Sequence, residues 1–283
     1  MLLAVDVGNS QTHLGVFSGE KLTADWRMST DARRTSDELA LVIQQLLAFQ
    51  DLSFSRQVTG VAISSVVPSL TGALRDMVET YFHFEPLVVE AGIKTGMAVL
   101  TDNPKEVGAD RIVNAVAAYS MVGGPVIVID FGTATTFDAV SDKGELLGCS
   151  IAPGIQISAN ALFGAAAQIQ KIELHPQETV IGKSTASSVR AGIVLGTVAM
   201  VEGMVQRMQT ELGGFGGVAA PRGTDPGAPE AANPLRSAGG AEIVATGGLA
   251  PLILEHCQIP IRHEPYLTLM GLRILYERNV QDS

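Results

Sequence analysis

Cysteine is scarce: Cys149 and Cys257 stand far apart in 283 residues, with no Cys-x-x-Cys or His-paired spacing. That leaves neither a disulfide framework nor a zinc cluster to build on, and reduced, buried thiols in a cytoplasmic protein are expected. Cations are scarce too, 19 Lys and Arg against 29 Asp and Glu, for a net charge of −10. Nucleic acid and anionic membranes reward clustered cations, so neither is an expected partner. A small anion can still be held locally by backbone amides and one or two bases. The run Met1–Val5 meets Asp6 at once, too short for the apolar region of a signal peptide and without its basic start. The longest apolar stretch, Ala191 to Val205, is bounded by Arg190 and interrupted by Glu202. It falls short of a membrane span and is expected to be a buried helix, packed either inside its own domain or against another subunit. Missing as well are the Gly-x-x-x-x-Gly-Lys-Ser/Thr of a P-loop and a Gly-x-Gly-x-x-Gly after the first strand, which disfavours both nucleotide folds that depend on them.

What is present is a core: 46% of residues are hydrophobic and only 17% charged, which excludes global disorder. At about 150 residues per domain the length makes one large or two medium domains. Leu2–Val5 reads as a buried strand ending at Asp6, followed by strands over Leu14–Phe17 and Lys21–Met28 around a Ser18-Gly19 turn. Thr35 and Glu38 form a capping box opening a helix through Phe49. Val58–Ser64 is a strand, a helix follows Pro68 to about Tyr81, and Leu87–Val89 is another strand. Near residue 125 the same order restarts: a strand over Val126–Ile129 ending at Asp130, then strands over Phe137–Val140 and Leu146–Ile151, and a helix after Pro153-Gly154 through Gln170. Asp6, Gly8 and Thr12 match Asp130, Gly132 and Thr136 in spacing, which argues for an internal duplication. Ile243–Ala245 is a late strand, and residues 213–240, dense in Gly, Pro and Ala, are expected to be a flexible insertion.

Glycine loops with hydroxyls and free amides after buried strands suit phosphate oxygens, and an Asp at the strand end can hold the cation that neutralises them. The plainer alternative for each loop is a hairpin turn capped by Asp and Thr. Asp110 can likewise be a general base or merely the N-cap of a helix beginning near Ile112, with Arg111 a solvated neighbour. His13 can touch a phosphate or be a hydrogen-bonded structural histidine; His83, His175, His256 and His263 are expected to be structural. Asp138 is expected to face a hairpin, and Trp26 to lie in the core.

The duplicated Asp-x-Gly loop resembles the actin-like ATPase superfamily, which includes acetate and sugar kinases. Seven ordered motifs narrow the likeness: residues 6–13 (Asp-Val-Gly-Asn-Ser-Gln-Thr-His), 63–68 (Ile-Ser-Ser-Val-Val-Pro), 103–111 (Asn-Pro-Lys-Glu-Val-Gly-Ala-Asp-Arg), 130–136 (Asp-Phe-Gly-Thr-Ala-Thr-Thr), 153–155 (Pro-Gly-Ile), 182–185 (Gly-Lys-Ser-Thr) and 245–250 (Ala-Thr-Gly-Gly-Leu-Ala). Together they resemble the type III pantothenate kinase family over nearly the whole chain except 213–240.

The resemblance implies an α/β fold of two tandem ribonuclease H-like domains, each a mixed sheet with helices on both faces, expected over 1–117 and 118–283, with ATP between them. It implies ATP-dependent phosphorylation of the primary hydroxyl of pantothenate, the first step of coenzyme A synthesis, in a homodimer. ATP would be bound by Asp6, Val7, Gly8, Asn9, Ser10, Gln11, Thr12, His13 and Thr133. Asp6 would hold magnesium, and Asp130 a monovalent cation, potassium or ammonium. Gly108, Ala109, Asp110 and Arg111 would line the pantothenate site, with Asp110 the general base, Arg111 on the substrate carboxylate and Thr185 a further contact. Where the family usually has tyrosine three residues before the Asn-Pro proline, this chain has Thr101. A different kinase or phosphohydrolase on the same fold, or a non-catalytic accessory factor for transcription, are the rival readings.

Overall fold

The computed structural model describes residues 1–52, 57–166, 168–215 and 240–280. In chain order the elements are β1 (Leu2–Val7), β2 (Gln11–Ser18), β3 (Lys21–Ser29), α1 (Ser36–Ala48), β4 (Gly60–Ser65), α2 (Pro68–Phe82), β5 (Leu87–Val88) and β6 (Ala98–Val99). After a short 3-10 turn over Pro104–Glu106 come α3 (Ala109–Val122), β7 (Val126–Phe131), β8 (Ala134–Val140), β9 (Glu145–Pro153), α4 (Ile155–Ala165) and α5 (Thr185–Arg190). A π-helical turn (Ala191–Leu195) leads into α6 (Gly196–Phe215), and β10 (Glu242–Thr246), α7 (Ala250–Leu254), β11 (Arg262–His263) and α8 (Leu267–Val280) complete the chain. Of the expected insertion, residues 216–239 lie outside the described residues.

Two compact units result: Met1–Met97 with Asp102–Ala117 and the chain from Tyr266 onward, and Ala98–Thr101 with Ala118–Pro265. The first carries a sheet of order β3-β2-β1-β4-β5. Leu3, Val5 and Val7 alternate onto one face and pack with Leu39, Ile43 and Leu47 of α1 and Leu74, Met77 and Val78 of α2; period 2 meeting period 3.6 buries both stripes. The opposite face is covered by α8, whose Leu269 lies over Gly15 and whose Tyr276 fills the space beside Gly60. A Cβ on Gly271 of α8 would overlap the Val113 carbonyl of α3, and Thr268 Oγ1 donates to Asn114 Oδ1 at 2.7 Å. Hence the expected assignment of all of 118–283 to one domain needs correcting: residues 266 onward complete the first unit, because its sheet would otherwise leave an apolar face bare.

The second unit carries a sheet of order β11-β10-β7-β8-β9-β6. Apart from the edge strand β6, this repeats the first order, with β7, β8, β9, β10 and β11 in the places of β1, β2, β3, β4 and β5. Val194, Val198, Val201, Val205, Met208 and Leu212 recur every three or four residues and are buried in its core with Ile127, Ile129 and Phe137. By length and composition the helical run Thr185–Gly213 could cross a membrane, contrary to the expectation that it falls short; its valine stripe is nonetheless a core-facing helix side. Two local expectations are corrected. The helix expected through Gln170 ends at Ala165, with Ala166 extended (φ −103°, ψ 102°) just after Gly164, a poor helix former. Cys149 is exposed rather than buried, because β6 pairs with β9 only at Glu145 and Leu146 and leaves the rest of β9 as a sheet edge. Cys257, half-buried, has its thiol pushed up to about 11, chiefly by burial.

The capping box at α1 forms as read: Thr35 Oγ1 accepts from the Glu38 amide at 3.3 Å and Glu38 Oε2 from the Thr35 amide at 2.9 Å. Thr35→Ala removes the side-chain cap and is expected to cost about 1 kcal/mol. The urea midpoint checks this, with kinase activity per folded molecule unchanged.

Candidate active site

In the first unit the β1–β2 connection sets the geometry. Asp6 pairs in register with His13 on β2 and with Ser64 on β4, and His13 with Arg27 on β3. Register partners share a face, so Ser64, Asp6, His13 and Arg27 form one row across four strands. Between Val7 and Thr12 the chain turns tightly, the Gly8 amide donating to Gln11 O at 3.0 Å. Thr30 latches that turn: its hydroxyl donates to Gly8 O at 2.8 Å and sits 2.9 Å from Thr12 Oγ1, while its amide reaches Ser10 O at 3.1 Å. Backbone bonds and the Thr30 hydroxyl thus hold the turn from Val7 to Ser10. His13 Nε2 lies 3.0 Å from Asp25 Oδ2, and burial is the main cause that lowers its pKa below the usual histidine value. Its ring centroid is 6.0 Å from that of Tyr266. The Asp25 bond gives His13 a structural partner.

Asp110 comes to the same end of this sheet. The Val66 amide donates to Val7 O at 3.0 Å, which ties the segment after β4 to the end of β1. A Cβ on Gly108 would lie 4.0 Å from Val66 Cγ1 and 2.5 Å from Asp110 Oδ1, so the glycine lets the carboxyl fold back over the helix start. Helix α3 begins at Ala109, not near Ile112, which makes Asp110 a first-turn residue rather than the N-cap. Its Oδ1 accepts from the Arg111 amide at 2.9 Å. Burial raises the Asp110 pKa above the ordinary carboxylate value, and the Arg111 bond and charge only partly oppose it. A carboxylate held there is a stronger base than one in water.

In the second unit Asp130 occupies the place of Asp6, paired with Thr136 on β8 and Thr246 on β10. The turn after it is one residue shorter: the Gly132 amide reaches Ala134 O at 3.1 Å and the Gly154 amide reaches Thr133 O at 3.1 Å. Register therefore makes Thr135, not Thr136, the counterpart of Thr12, since Thr135 pairs with Phe131 as Thr12 does with Val7. Gly154 stands where the first unit has Thr30. Gly154 has no hydroxyl to latch this loop as Thr30 does the first, and Thr135 Oγ1 is buried without a hydrogen-bond partner. Asp138 is buried in mid-strand on the Asp130 face, with Thr136 Oγ1 donating to its Oδ2 at 3.4 Å, rather than at a hairpin. Thr185 is exposed at the first position of α5, behind a Ser184–Ser187 capping box. Thr101, half-buried, has its hydroxyl without a partner.

Some of this escaped sequence reasoning. Ser64 and Thr246 lie in the 63–68 and 245–250 motifs but have no role of their own in the sequence reading, although each is a hydroxyl ending an apolar run. A surface depression of about 610 Å³ lined by Asp31, Arg33, Arg34, Glu38, Leu41 and Val42 lies beside α1 and contains none of the candidate residues.

Among solved structures the chain is similar to one from Campylobacter jejuni described as a Baf family transcriptional activator (TM-score 0.56, 15% identity, 99% of each chain) and one from Sinorhizobium meliloti described as a 2-dehydro-3-deoxygalactonokinase (TM-score 0.52, 11% identity, 98% and 96% covered). At such identities these speak to the fold alone, that of the actin-like ATPases and sugar kinases. A family model for type III pantothenate kinase matches residues 2–207. The type III pantothenate kinase of Streptomyces griseus is 49% identical over 284 residues, covering 99% of each chain, and that of Moorella thermoacetica 47% identical over 279 residues, covering 99% of this chain and all of the other. This chain, an enzyme that transfers phosphoryl groups, belongs to the type III pantothenate kinase family.

Proposed function

We propose that this chain phosphorylates the primary hydroxyl of pantothenate with ATP, giving 4'-phosphopantothenate, and that Asp110 takes the hydroxyl proton as the oxygen–phosphorus bond forms. The observation that carries the assignment is the placement of Asp110 beside the ends of β1 and β4, with its basicity raised by burial. An alcohol is a poor nucleophile, and a positioned carboxylate supplies about 10²–10⁴-fold by accepting its proton. The remaining work of phosphoryl transfer is positioning and charge neutralisation. Amides of the 6–13 turn suit phosphate oxygens, with Thr133 a further ATP contact. Arg111 offers a planar fork for the substrate carboxylate, and Gly108, Ala109, Thr185 and Thr101 complete the pantothenate contacts.

Kinases of this kind use a divalent metal. Magnesium keeps most of its waters and takes one or two carboxylates besides phosphate oxygens, and the Asp6 carboxylate with the buried Ser64 hydroxyl beside it fits that donor set. When bound, the ion neutralises charge on the transferred phosphoryl group. Asp130, with the hydroxyls of Thr136 and Thr246 in the same row, suits a monovalent cation, potassium or ammonium. We assign the enzyme to the cytoplasm as a homodimer.

A coupled ADP-release assay tests the reading. ADP release should require pantothenate and fall when sodium replaces potassium and ammonium. Release indifferent to pantothenate would refute the substrate assignment.

A further inference from the structure

Ser64 is wholly buried, and its Oγ has no hydrogen-bond partner. Buried hydroxyls are nearly always satisfied, so an orphan of this kind calls for a ligand-side explanation. It stands opposite Asp6 in the parallel β1–β4 pair, on the same face and one strand spacing, about 5 Å, away. Just before it, β4 is wholly buried and without polar side chains over Gly60–Ile63. An alanine or valine at 64 would have continued that pattern. The second unit repeats the arrangement independently: Thr246 of β10 is buried and stands opposite Asp130 of β7. Two sheets of equal order, diverged in most side chains, thus keep a buried hydroxyl beside the strand-end acid in both copies.

We propose that Ser64 is a positioning residue of the phosphoryl-transfer site, its Oγ accepting a hydrogen bond from a water in the shell of the divalent ion that Asp6 holds. This rests on the reading of Asp6 as the magnesium carboxylate. Residues that orient a metal's ligands from behind typically contribute 10–100-fold to metal affinity. A serine serving only to fill space would contribute nothing there, and its replacement by alanine would relieve an unsatisfied group.

The test uses the full chain and titration calorimetry of ATP with and without Mg²⁺, alongside the melting temperature. Ser64→Ala should weaken Mg-ATP binding about tenfold, leave metal-free ATP binding unchanged and leave the melting temperature equal or higher. Ser64→Thr should restore binding to near wild type. Should Ser64→Ala lower the melting temperature, Ser64→Cys, which fills the volume with a poorly bonding sulfur, makes the same comparison. Asp6→Asn is the reference and should lose the magnesium-dependent gain in affinity altogether. If Ser64→Ala keeps the full gain while Asp6→Asn loses it, the Ser64 inference is overturned and the Asp6 reading stands. If Asp6→Asn also keeps the gain, the Asp6 reading falls and the inference with it.

Discussion

Asp110→Asn is expected to lower kcat by about 10²–10⁴-fold, the range a positioned general base supplies, while the protein stays folded. The stability change should run the other way. Burial raises the folded pKa of Asp110 above the ordinary value near 3.9. A carboxyl so shifted favours folding in its protonated form, a contribution present below the unfolded pKa and lost as pH rises through the raised folded pKa. At neutral pH the ionised side chain therefore costs stability, and asparagine, never ionised, should melt at an equal or higher temperature. Activity of the parent enzyme should fall on the acid side as Asp110 protonates, at a pH above that of a solvent-exposed aspartate. Thermal unfolding and a pH–rate profile check both halves; near-wild-type turnover in a folded variant would remove Asp110 from its role.

The second large effect concerns a residue with no functional group. Gly154→Ala would place a Cβ onto the Thr133 carbonyl oxygen and 2.7 Å from that of Gly132. Both are backbone atoms of the loop assigned to ATP and the monovalent cation, so neither can swing away as a side chain would. Gly154 has ordinary extended dihedrals (φ −66°, ψ 157°), so close approach rather than left-handed backbone demands glycine here. Overpacking of this kind costs about 1–3 kcal/mol, or roughly 2–12 °C of melting temperature in a unit of this size. Loss of ATP binding should accompany it as the loop shifts. Gly132→Ala is the control, its Cβ meeting only Ala134 O at 3.5 Å and Asp130 Oδ1 at 3.6 Å, both ordinary contacts. Equal melting temperatures for the two variants would contradict the steric account.

Much of the site was readable along the chain because its signals are local. A β-branched run stopping at an acid and a glycine marks Asp6 and Asp130, and Thr35 with Glu38 marks a helix start, within windows of a few residues. The seven ordered motifs are likewise stretches of contiguous sequence. Spacing misled in the second loop: counting from Asp130 matches Thr12 with Thr136, whereas the ladder matches it with Thr135 because that turn closes one residue sooner. Helix α3 began three residues earlier than read, since Gly108 is the residue that lets Asp110 fold back, a contact outside any helical pattern.

The order of residues alone determined the duplicated strand–loop frame, the acids at the strand ends and the family, all of them properties of hydrogen-bonding preference and apolar period over short spans. Only the tertiary structure decided that the last helix returns to cover the first sheet, that Ser64 stands opposite Asp6 and Thr246 opposite Asp130, and that Gly154 replaces the Thr30 latch. The pairings join segments some 20 to 120 residues apart, and the last helix packs on strands some 200 or more residues before it. Register there is fixed by backbone bonds and by which apolar faces remain to be covered, and neither is written at any single position.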